Sequence, residues 1–415
     1  MNEASHNPEL TTCLRVLGVD PGQVSADTTR ARCGNGRRYI IVPSGERPRW
    51  ILPVGDTRVL RGGLLSYRPW RWSGKLGRAC MLVVTASPGL CARIFSGFTV
   101  ESGGESAWAE QFCASYGERD VMLAFSLGTP GPRRRTTIRI MDGVGTLRGY
   151  AKVGISAPAT ETLKREADAL RRLNTQTKLR GRVPSLVWEG EIDSVTGICL
   201  TPGPEEVAGV ELGSEHMRFL SMLSLDVQGP VGENAEYRNV IAAVRNATAS
   251  MPGGAPDCVR QALNAIEREA NDHVVTSVIA HGDFAPWNIR RMGQDLYVFD
   301  WESAEHLSLP LLDVLHFILQ VSLLVERRSP EQAALDVLSA LRRPDVLEYC
   351  RQMKVSDRAT QLLCLLGLMK RCAVHVADVT ITGAPLDEHP GFQETIRVLE
   401  ALLPHLVAPD SARRA

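Results

Sequence analysis

The sequence predicts an α+β fold in which short strands dominate the first half and helices dominate the second. Short apolar alternations separated by Gly and Pro recur through residues 1–115, a pattern typical of short strands and loops. Between 121 and 200, apolar runs predict three strands, one helix and two further strands. After 201 the periodicity is helical, except for one strand-and-loop island at 274–302.

Residues 1–115 are predicted to form a β-rich N-terminal extension that carries no catalytic motif. The runs 38–42 and 50–53 are short and apolar, with turn residues between them. Burying one large apolar side chain stabilises a fold by about 1.5–3 kcal/mol, so we expect the extension to pack on the neighbouring lobe rather than stay solvated. The apolar side chains behind this expectation are Ile40, Ile41, Trp50, Ile51, Leu52, Trp70 and Trp72.

Three further regions follow the extension. A smaller α+β lobe is predicted at 116–200, a helical lobe at 201–405 and a flexible tail at 406–415. In the smaller lobe we expect a helix at 160–173 and strands at 121–125, 136–141, 149–153, 183–189 and 198–200. In the helical lobe we expect helices at 235–249, 256–271, 310–326, 331–341, 357–380 and 391–404.

The composition excludes several classes of protein. The 415 residues are 44% hydrophobic with zero formal net charge, and the basic residues are dispersed, which does not favour nucleic-acid binding. The most apolar run, 311–325, is too short to span a bilayer and contains Asp313 and His316, so we interpret it as a buried helix. The polar first ten residues and the scattered cysteines favour a reduced cytoplasmic protein. The oligomeric state stays open.

The strand-and-loop island at 274–302 contains several polar residues whose side chains suit catalysis or metal binding. His281-Gly282-Asp283 follows a β-rich run, and Asn288 comes five residues after Asp283. A hairpin from Ile289 to Phe299 would bring Asn288 and Asp300 to the same end of two paired strands. Magnesium takes oxygen ligands, usually one or two from protein, so these two side chains are candidate metal ligands.

This island resembles the aminoglycoside phosphotransferase and choline kinase-like family. The resemblance rests on residues 281–288, of sequence HGDFAPWN, which also satisfy the kinase loop pattern H-x-D-x-x-x-x-N, and on the dipeptide Asp300-Trp301. It covers roughly 120–405 and implies a bilobal protein-kinase-like fold, with the nucleotide on the smaller lobe.

The same resemblance implies a role for each site residue. Asp283 would accept or orient the proton of a substrate hydroxyl, and we expect it to be free of any salt bridge that satisfies it completely. Asn288 and Asp300 would hold magnesium against the phosphates of ATP. His281 would brace the loop, and Asp313 would be a structural aspartate; a helix cap is an equivalent interpretation of Asp313.

A lysine and a glutamate form the predicted nucleotide side. Lys152 lies in the middle of an apolar strand, and kinase-like sites need such a cation on the α- and β-phosphates. In the helix that follows, Glu166 sits at the edge of an apolar stripe, so its carboxylate needs a partner, for which Lys152 is the natural choice. The alternatives are an exposed Glu166 and a snorkelling Lys152, with Glu161 as the next candidate partner.

The sequence departs from kinase patterns at two places. It has no G-x-G-x-x-G loop, and the candidate phosphate flap is 128–132, followed by Arg133, Arg134 and Arg135, which could touch phosphate or form a solvated turn. The candidate hinge, 200–205, contains two prolines, which lack the backbone N–H donors that an adenine base would use.

These observations predict an ATP-dependent phosphotransferase with Mg²⁺ as cofactor. The acceptor would be a hydroxyl of a small molecule: an aminoglycoside or other amino sugar, a sugar, or an amino alcohol. Residues 201–415 carry 19 basic and 29 acidic side chains, which favours a cationic acceptor. The alternative is a non-catalytic kinase-fold module that binds a nucleotide or a partner. A protein kinase is disfavoured, because Asp-Trp-Glu stands at 300–302 and no Ala-Pro-Glu segment follows.

Overall fold

The chain divides into two compact units, Met1–Gly203 and Pro204–Ala415, in a computed structural model. The structure describes residues 8–19, 36–44, 48–55, 57–64, 72–101, 106–128, 135–249, 251, 256–383 and 385–407. Trp70, the side chain of Trp72, most of the candidate flap together with Arg133 and Arg134 (129–134), and residues 408–415 of the tail lie outside this description.

The first unit combines one sheet with helices. Its strands are β1 Gly36–Val42, β2 Trp50–Val54, β3 Gly97–Glu101, β4 Met122–Leu127, β5 Thr136–Met141, β6 Leu147–Gly154, β7 Leu186–Ile192 and β8 Val195–Leu200. Its helices are α1 Pro8–Val16, α2 Thr57–Leu64, α3 Trp72–Val84, α4 Pro88–Ile94, α5 Ala107–Tyr116 and α6 Ala157–Asn174.

The strands of the extension continue the sheet of the smaller lobe. The strand order is β3-β1-β2-β4-β5-β6-β8-β7, and each neighbouring pair is antiparallel. The strands of the extension are connected to those of the smaller lobe by the pairing of β2 with β4, in which Trp50 lies opposite Ser126 and Ile51 opposite Phe125. The extension is therefore an integral part of this sheet.

Strand β1 shows why the sheet is buried on both faces. Successive side chains of a strand point to opposite faces. Tyr39 and Ile41 belong to one buried cluster, and Ile40 and Val42 belong to another. The first cluster runs from α1 through β1, α5 and the strands β4 to β8, so one core joins the extension to the rest of the unit.

The extension also contains helices that the short apolar alternations did not indicate. Helix α5 has clear end signals: the side chain of Ser106 accepts the N–H of Ala109 at its start, and Gly117 ends it with a φ of 68°. A cap serine and a left-handed C-terminal glycine are typical helix boundaries. Trp108 and Phe112 on this helix are fully buried, one turn apart.

The second unit is mostly helical. Its helices are α7 Ser214–Ser221, α8 Ala235–Ala249, α9 Asp257–Glu269, α10 Leu312–Leu319, α11 Pro330–Leu341, α12 Pro344–Gln352, α13 Asp357–Thr382 and α14 Pro390–Leu406. A π-helical segment, Gln320–Val325, continues α10. Its strands are β9 Ser224–Pro230, β10 Val274–Ala280, β11 Ile289–Met292, β12 Asp295–Val298 and β13 Glu305–Ser308.

The predicted β-rich first part and helical second part are both present. Each helix predicted in the second unit occurs: α8 has the predicted ends, and the others differ by one or two residues at one or both ends when the π-helical segment is counted with α10. Helices α7 and α12 were not predicted. Both are shorter than ten residues, so each offers few apolar positions to a periodicity test. Among the described residues, no helix is both long enough and apolar enough to cross a membrane.

Candidate active site

The loop after β10 depends on a glycine. Gly282 has a φ of 80°, in the left-handed region that favours glycine. A Cβ atom there would lie 2.2 Å from the carbonyl oxygen of Ser303, so no larger residue fits. This close approach fixes the chain between His281 and Asp283.

The carboxylate of Asp313 holds the backbone of the same turn. It accepts the backbone N–H of His281 at 2.7 Å and that of Gly282 at 3.0 Å. Charge-assisted hydrogen bonds of this kind are about twice as strong as neutral ones. Asp313 is buried in the first turn of α10, so it ties this helix to the loop. The geometry therefore gives it a supporting position and no direct access to a ligand.

His281 links the loop to the strand that precedes Asp300. Its Nδ1 accepts the N–H of Asp283 at 3.2 Å, so the proton sits on Nε2, which donates to the carbonyl of Phe299 at 2.9 Å. The ring is fully buried and lies 4.6 Å, centroid to centroid, from the ring of Trp301. A packed imidazole with both nitrogens engaged suits the bracing role that the sequence analysis expected for His281.

Both carboxylate oxygens of Asp283 have partners. Oδ1 lies 2.9 Å from Nε2 of His316, and Oδ2 accepts the amide N–H of Asn288 at 2.9 Å. The sequence analysis expected no satisfying salt bridge here and did not identify His316. The sequence offers only a weak indication of this contact, because His316 lies 33 residues after Asp283, within a run that predicts a buried helix. About a third of the Asp283 side chain (35%) remains exposed.

The hairpin predicted after Asn288 is present. Strands β11 and β12 pair antiparallel, with Ile289 opposite Val298, and the carbonyl of Asn288 accepts the N–H of Phe299 at 3.1 Å. Asp300 follows immediately, so the hairpin brings the chain at Asp300 beside Asn288. The Asn288 amide nitrogen is used by Asp283, which leaves its carbonyl oxygen Oδ1 as the atom that suits a cation.

Asp300 has an unusual backbone conformation. Its φ of 71° is uncommon for a residue other than glycine and costs about 1–3 kcal/mol, so the surrounding structure must hold it. Trp301 is fully buried and donates its indole N–H to the carbonyl of Val298 at 2.9 Å, which fixes the turn. Strained residues of this kind cluster at functional sites. The oxygen donors of Asn288 and Asp300 fit a hard divalent cation.

In the first unit, the expected contact between Lys152 and Glu166 is present. The ammonium of Lys152, on the central strand β6, lies 2.7 Å from both carboxylate oxygens of Glu166 on α6. The Glu166 side chain is completely buried and that of Lys152 is 10% exposed. Arg135, next to the candidate flap, reaches within 3.9 Å of the same carboxylate. The exposed alternative for Glu166 is therefore excluded.

Tyr116, which sequence reasoning missed, ties the extension to the strand of Lys152. Its hydroxyl lies 3.0 Å from the carbonyl of Tyr150 on β6 and 2.9 Å from that of Leu200, at the start of the candidate hinge. Burial raises the pKa of Tyr116 well above its usual value, so the hydroxyl stays a donor. The ring lies against Gly149, where a Cβ would come within 2.2 Å of it.

No protein-family model matches the sequence, and no curated protein matches it. Solved structures with similarity include a thermostable mutant of an aminoglycoside phosphotransferase in complex with ADP and hygromycin B, at 16% identity and a TM-score of 0.44, over 71% of this chain and 98% of that one. Ethanolamine kinase from Plasmodium vivax gives 12% identity and a TM-score of 0.44, over 74% and 91%. LicA in complex with AMP gives 14% and 0.41, over 71% and 96%.

Proposed function

We propose that this protein is an ATP-dependent phosphotransferase that moves the γ-phosphoryl group to a hydroxyl of a small molecule. The observation that carries the proposal is the setting of Asp283. The backbone just before it is held by Asp313, its carboxylate is contacted by the side chains of His316, Asn288 and Trp287, and part of it stays open to solvent. An oriented, accessible carboxylate suits the general base of such a transfer.

In the proposed reaction, the acceptor hydroxyl oxygen forms a bond to the γ-phosphorus as the bond to the β,γ-bridging oxygen breaks. ADP leaves with that electron pair, and the hydroxyl proton passes to Asp283. Each carboxylate oxygen offers two lone-pair sites. Asn288 and the indole N–H of Trp287 both contact Oδ2, so the site left for the hydroxyl is on Oδ1, beside His316. Catalysis would come mostly from positioning and from stabilising charge.

Asn288 and Asp300 would hold Mg²⁺. When bound there, the ion would supply positive charge against the phosphate oxygens. The protein's own part is to hold two oxygen donors in place, one by the hydrogen bonds of the Asn288 amide and one by the fixed turn at Asp300. Lys152, oriented by both oxygens of Glu166, would bind the α- and β-phosphates.

The acceptors we propose are aminoglycosides or other amino sugars, sugars, and amino alcohols. The acidic balance of residues 201–415 favours a cationic member of this set, because a negative field raises the local concentration of cations. The nine cysteines that the structure describes are free thiols, which suits the reducing cytoplasm that we propose as its location.

A screen of ADP release tests the proposal. Purified protein is incubated with Mg-ATP and each acceptor of a panel of aminoglycosides, sugars and amino alcohols. We expect acceptor-dependent ADP release that Asp283→Asn lowers by roughly 10²–10⁴-fold while ATP binding survives. Asp283→Asn with wild-type turnover on a confirmed acceptor would contradict the assignment of the base.

The metal ligands need a separate measurement. Titration calorimetry with ATP, with and without Mg²⁺, should show that Asp300→Ala loses the magnesium-dependent part of nucleotide binding. Asp295→Ala, at the other end of the same hairpin, is the matched control and should bind as the wild type does. Tight magnesium-dependent binding with no turnover on any acceptor would favour the non-catalytic nucleotide-binding module instead.

A further inference from the structure

A second cluster of potential ligands lies in the helical unit, on elements that the proposed transfer does not use. His375 and Asp378 are three residues apart on α13, and His389 stands at the N-terminal cap of α14. One ligand atom from each of the three residues lies within 4.8 Å of the other two. Residues three apart on a helix share one face, so the sequence spacing explains why the first two meet.

His375 is the member that requires an explanation. Both of its ring nitrogens are buried, and neither has a hydrogen-bond partner. Leaving a buried polar atom unsatisfied costs about 1–3 kcal/mol, and such atoms in native structures point to an ion, a water or a function. The ring lies against the first turn of α14, where a Cβ on Gly391 would come within 2.5–3.0 Å of three of its atoms. Glycine at 391 thus makes room for this ring.

His389 is positioned to bind the same ion as His375. Its Nδ1 accepts the backbone N–H of Phe392 at 3.3 Å as the cap of α14, which leaves Nε2 directed elsewhere. The two imidazole rings lie 4.9 Å apart, centroid to centroid. Asp378 is exposed, and it lies on the same face of α13 as His375.

We propose that His375, Asp378 and His389 form a site for a transition-metal cation of the Zn²⁺ class. Two imidazoles and one carboxylate are ligands that zinc prefers, and they leave a fourth tetrahedral position for water. Magnesium and calcium take oxygen ligands instead, so this site differs in metal from the proposed phosphotransfer site. Zinc ligands lie ~2.0–2.1 Å from the ion, so the three atoms must draw somewhat closer than they stand here.

The charges around the cluster permit a cation. Arg371 lies one turn before His375 on α13, but it donates to Thr395 and faces Glu394 at 3.4 Å, which opposes its charge. A bound ion would join the end of α13 to the start of α14.

The test uses full-length protein without a histidine tag, stripped with a chelator and titrated with Co²⁺. We expect one Co²⁺ per chain, with the visible absorption of a low-coordinate site. Zn²⁺ should displace it, and a large excess of Mg²⁺ should not. His389→Asn keeps a side-chain acceptor for the α14 cap but removes the imidazole, and should weaken binding at least tenfold. Asp378→Asn, on an exposed residue, should also weaken it.

His405→Asn, an exposed histidine elsewhere on α14, is the control and should bind Co²⁺ as the wild type does. Thermal unfolding gives a second readout: Zn²⁺ should raise the Tm of the wild type and of His405→Asn but not that of His389→Asn. Equal Co²⁺ affinity in all four proteins, or none in the wild type, overturns the site. Magnesium-dependent ADP release by His389→Asn should be unchanged, so the two proposals fail separately.

Discussion

Nε2 of His316 lies 2.9 Å from Oδ1 of Asp283, and this contact joins α10 to the loop that carries the proposed base. Asp313, one turn earlier on the same helix, holds the backbone of that loop. Helix α10 therefore sets both the main chain and the side chain around Asp283. His316 does not need to touch a substrate to matter, because the direction of the carboxylate depends on it.

We expect His316→Leu to lower kcat by roughly 10–100-fold, since a hydrogen bond to a charged group contributes about 1.5–3 kcal/mol. The KM for ATP should change little, because the proposed nucleotide contacts lie elsewhere. His316→Gln, which retains an N–H donor, should recover much of the activity. An unchanged kcat in His316→Leu would show that the contact has no role in turnover.

The buried ion pair between Lys152 and Glu166 should contribute to the stability of the fold as well as to nucleotide binding. Lys152→Met leaves the fully buried Glu166 carboxylate without its main partner, so we expect a loss of about 3–5 kcal/mol in unfolding free energy. The double variant Lys152→Met/Glu166→Leu removes both charges and should regain most of that stability. ATP binding should stay weak in both variants. Chemical denaturation and titration calorimetry measure the two effects, and ATP affinity restored in the double variant would refute the nucleotide role of Lys152.

His216 gives the fold a defined sensitivity to acid. Burial lowers its pKa to about 4, from the usual 6.5 of a histidine, because the ring is enclosed beside Phe284 and Phe317. Between these values the unfolded chain binds a proton that the folded chain does not, so stability falls as pH falls, by about 1.4 kcal/mol per unit for this one group. Below about pH 4 the contribution is lost and the slope from this residue ends.

His216→Gln removes that proton-binding group and keeps a side chain that can accept the N–H of Gly213. The variant should be less stable than the wild type near pH 7, and the gap should narrow steadily as pH falls from 6.5 towards 4. Urea unfolding across this range measures the gap. His405→Gln, at an exposed histidine, serves as control. A gap independent of pH would contradict the assignment.

The hydrogen bonds of Tyr116, the last residue of α5, should contribute to the stability of the strand that carries Lys152. Tyr116→Phe removes one hydroxyl that serves two backbone carbonyls, and we expect the unfolding free energy to fall by about 1–3 kcal/mol. Tyr237→Phe, a tyrosine of the second unit, is the comparison. A Tm that drops equally in both variants would mean that the two carbonyls do not depend on Tyr116.

Local patterns predicted much of the site. The short apolar runs on either side of the turn residues 292–295 predicted the hairpin that places Asp300 beside Asn288, and the apolar stripe of α6 predicted the contact between Lys152 and Glu166. Both depend on residues close in sequence, so helix and strand periodicity is enough to place them. The direction of these side chains follows from the regular geometry of the elements themselves.

The features that sequence missed are contacts between distant segments. His316 reaches Asp283 from another helix, and the pairing of Trp50 with Ser126 crosses 76 residues. Nothing in either partner's neighbourhood specifies the other, because any exposed sheet edge or any polar residue on a buried helix could take that role. The same reason explains why the helices of the extension were not indicated by its short apolar runs.

The placement of β1, β2 and β3 within one sheet has a consequence for synthesis on the ribosome. These strands emerge first, but β4, the partner of β2, ends at Leu127, and the core they share extends to Cys199 on β8. At about 5–20 residues per second, the nascent chain carries this uncovered apolar surface for roughly 7–30 s. Until β4 is made, the edge of β2 is also unpaired and open to association with other chains. Faster elongation or a chaperone that covers this edge should therefore raise the yield of folded protein.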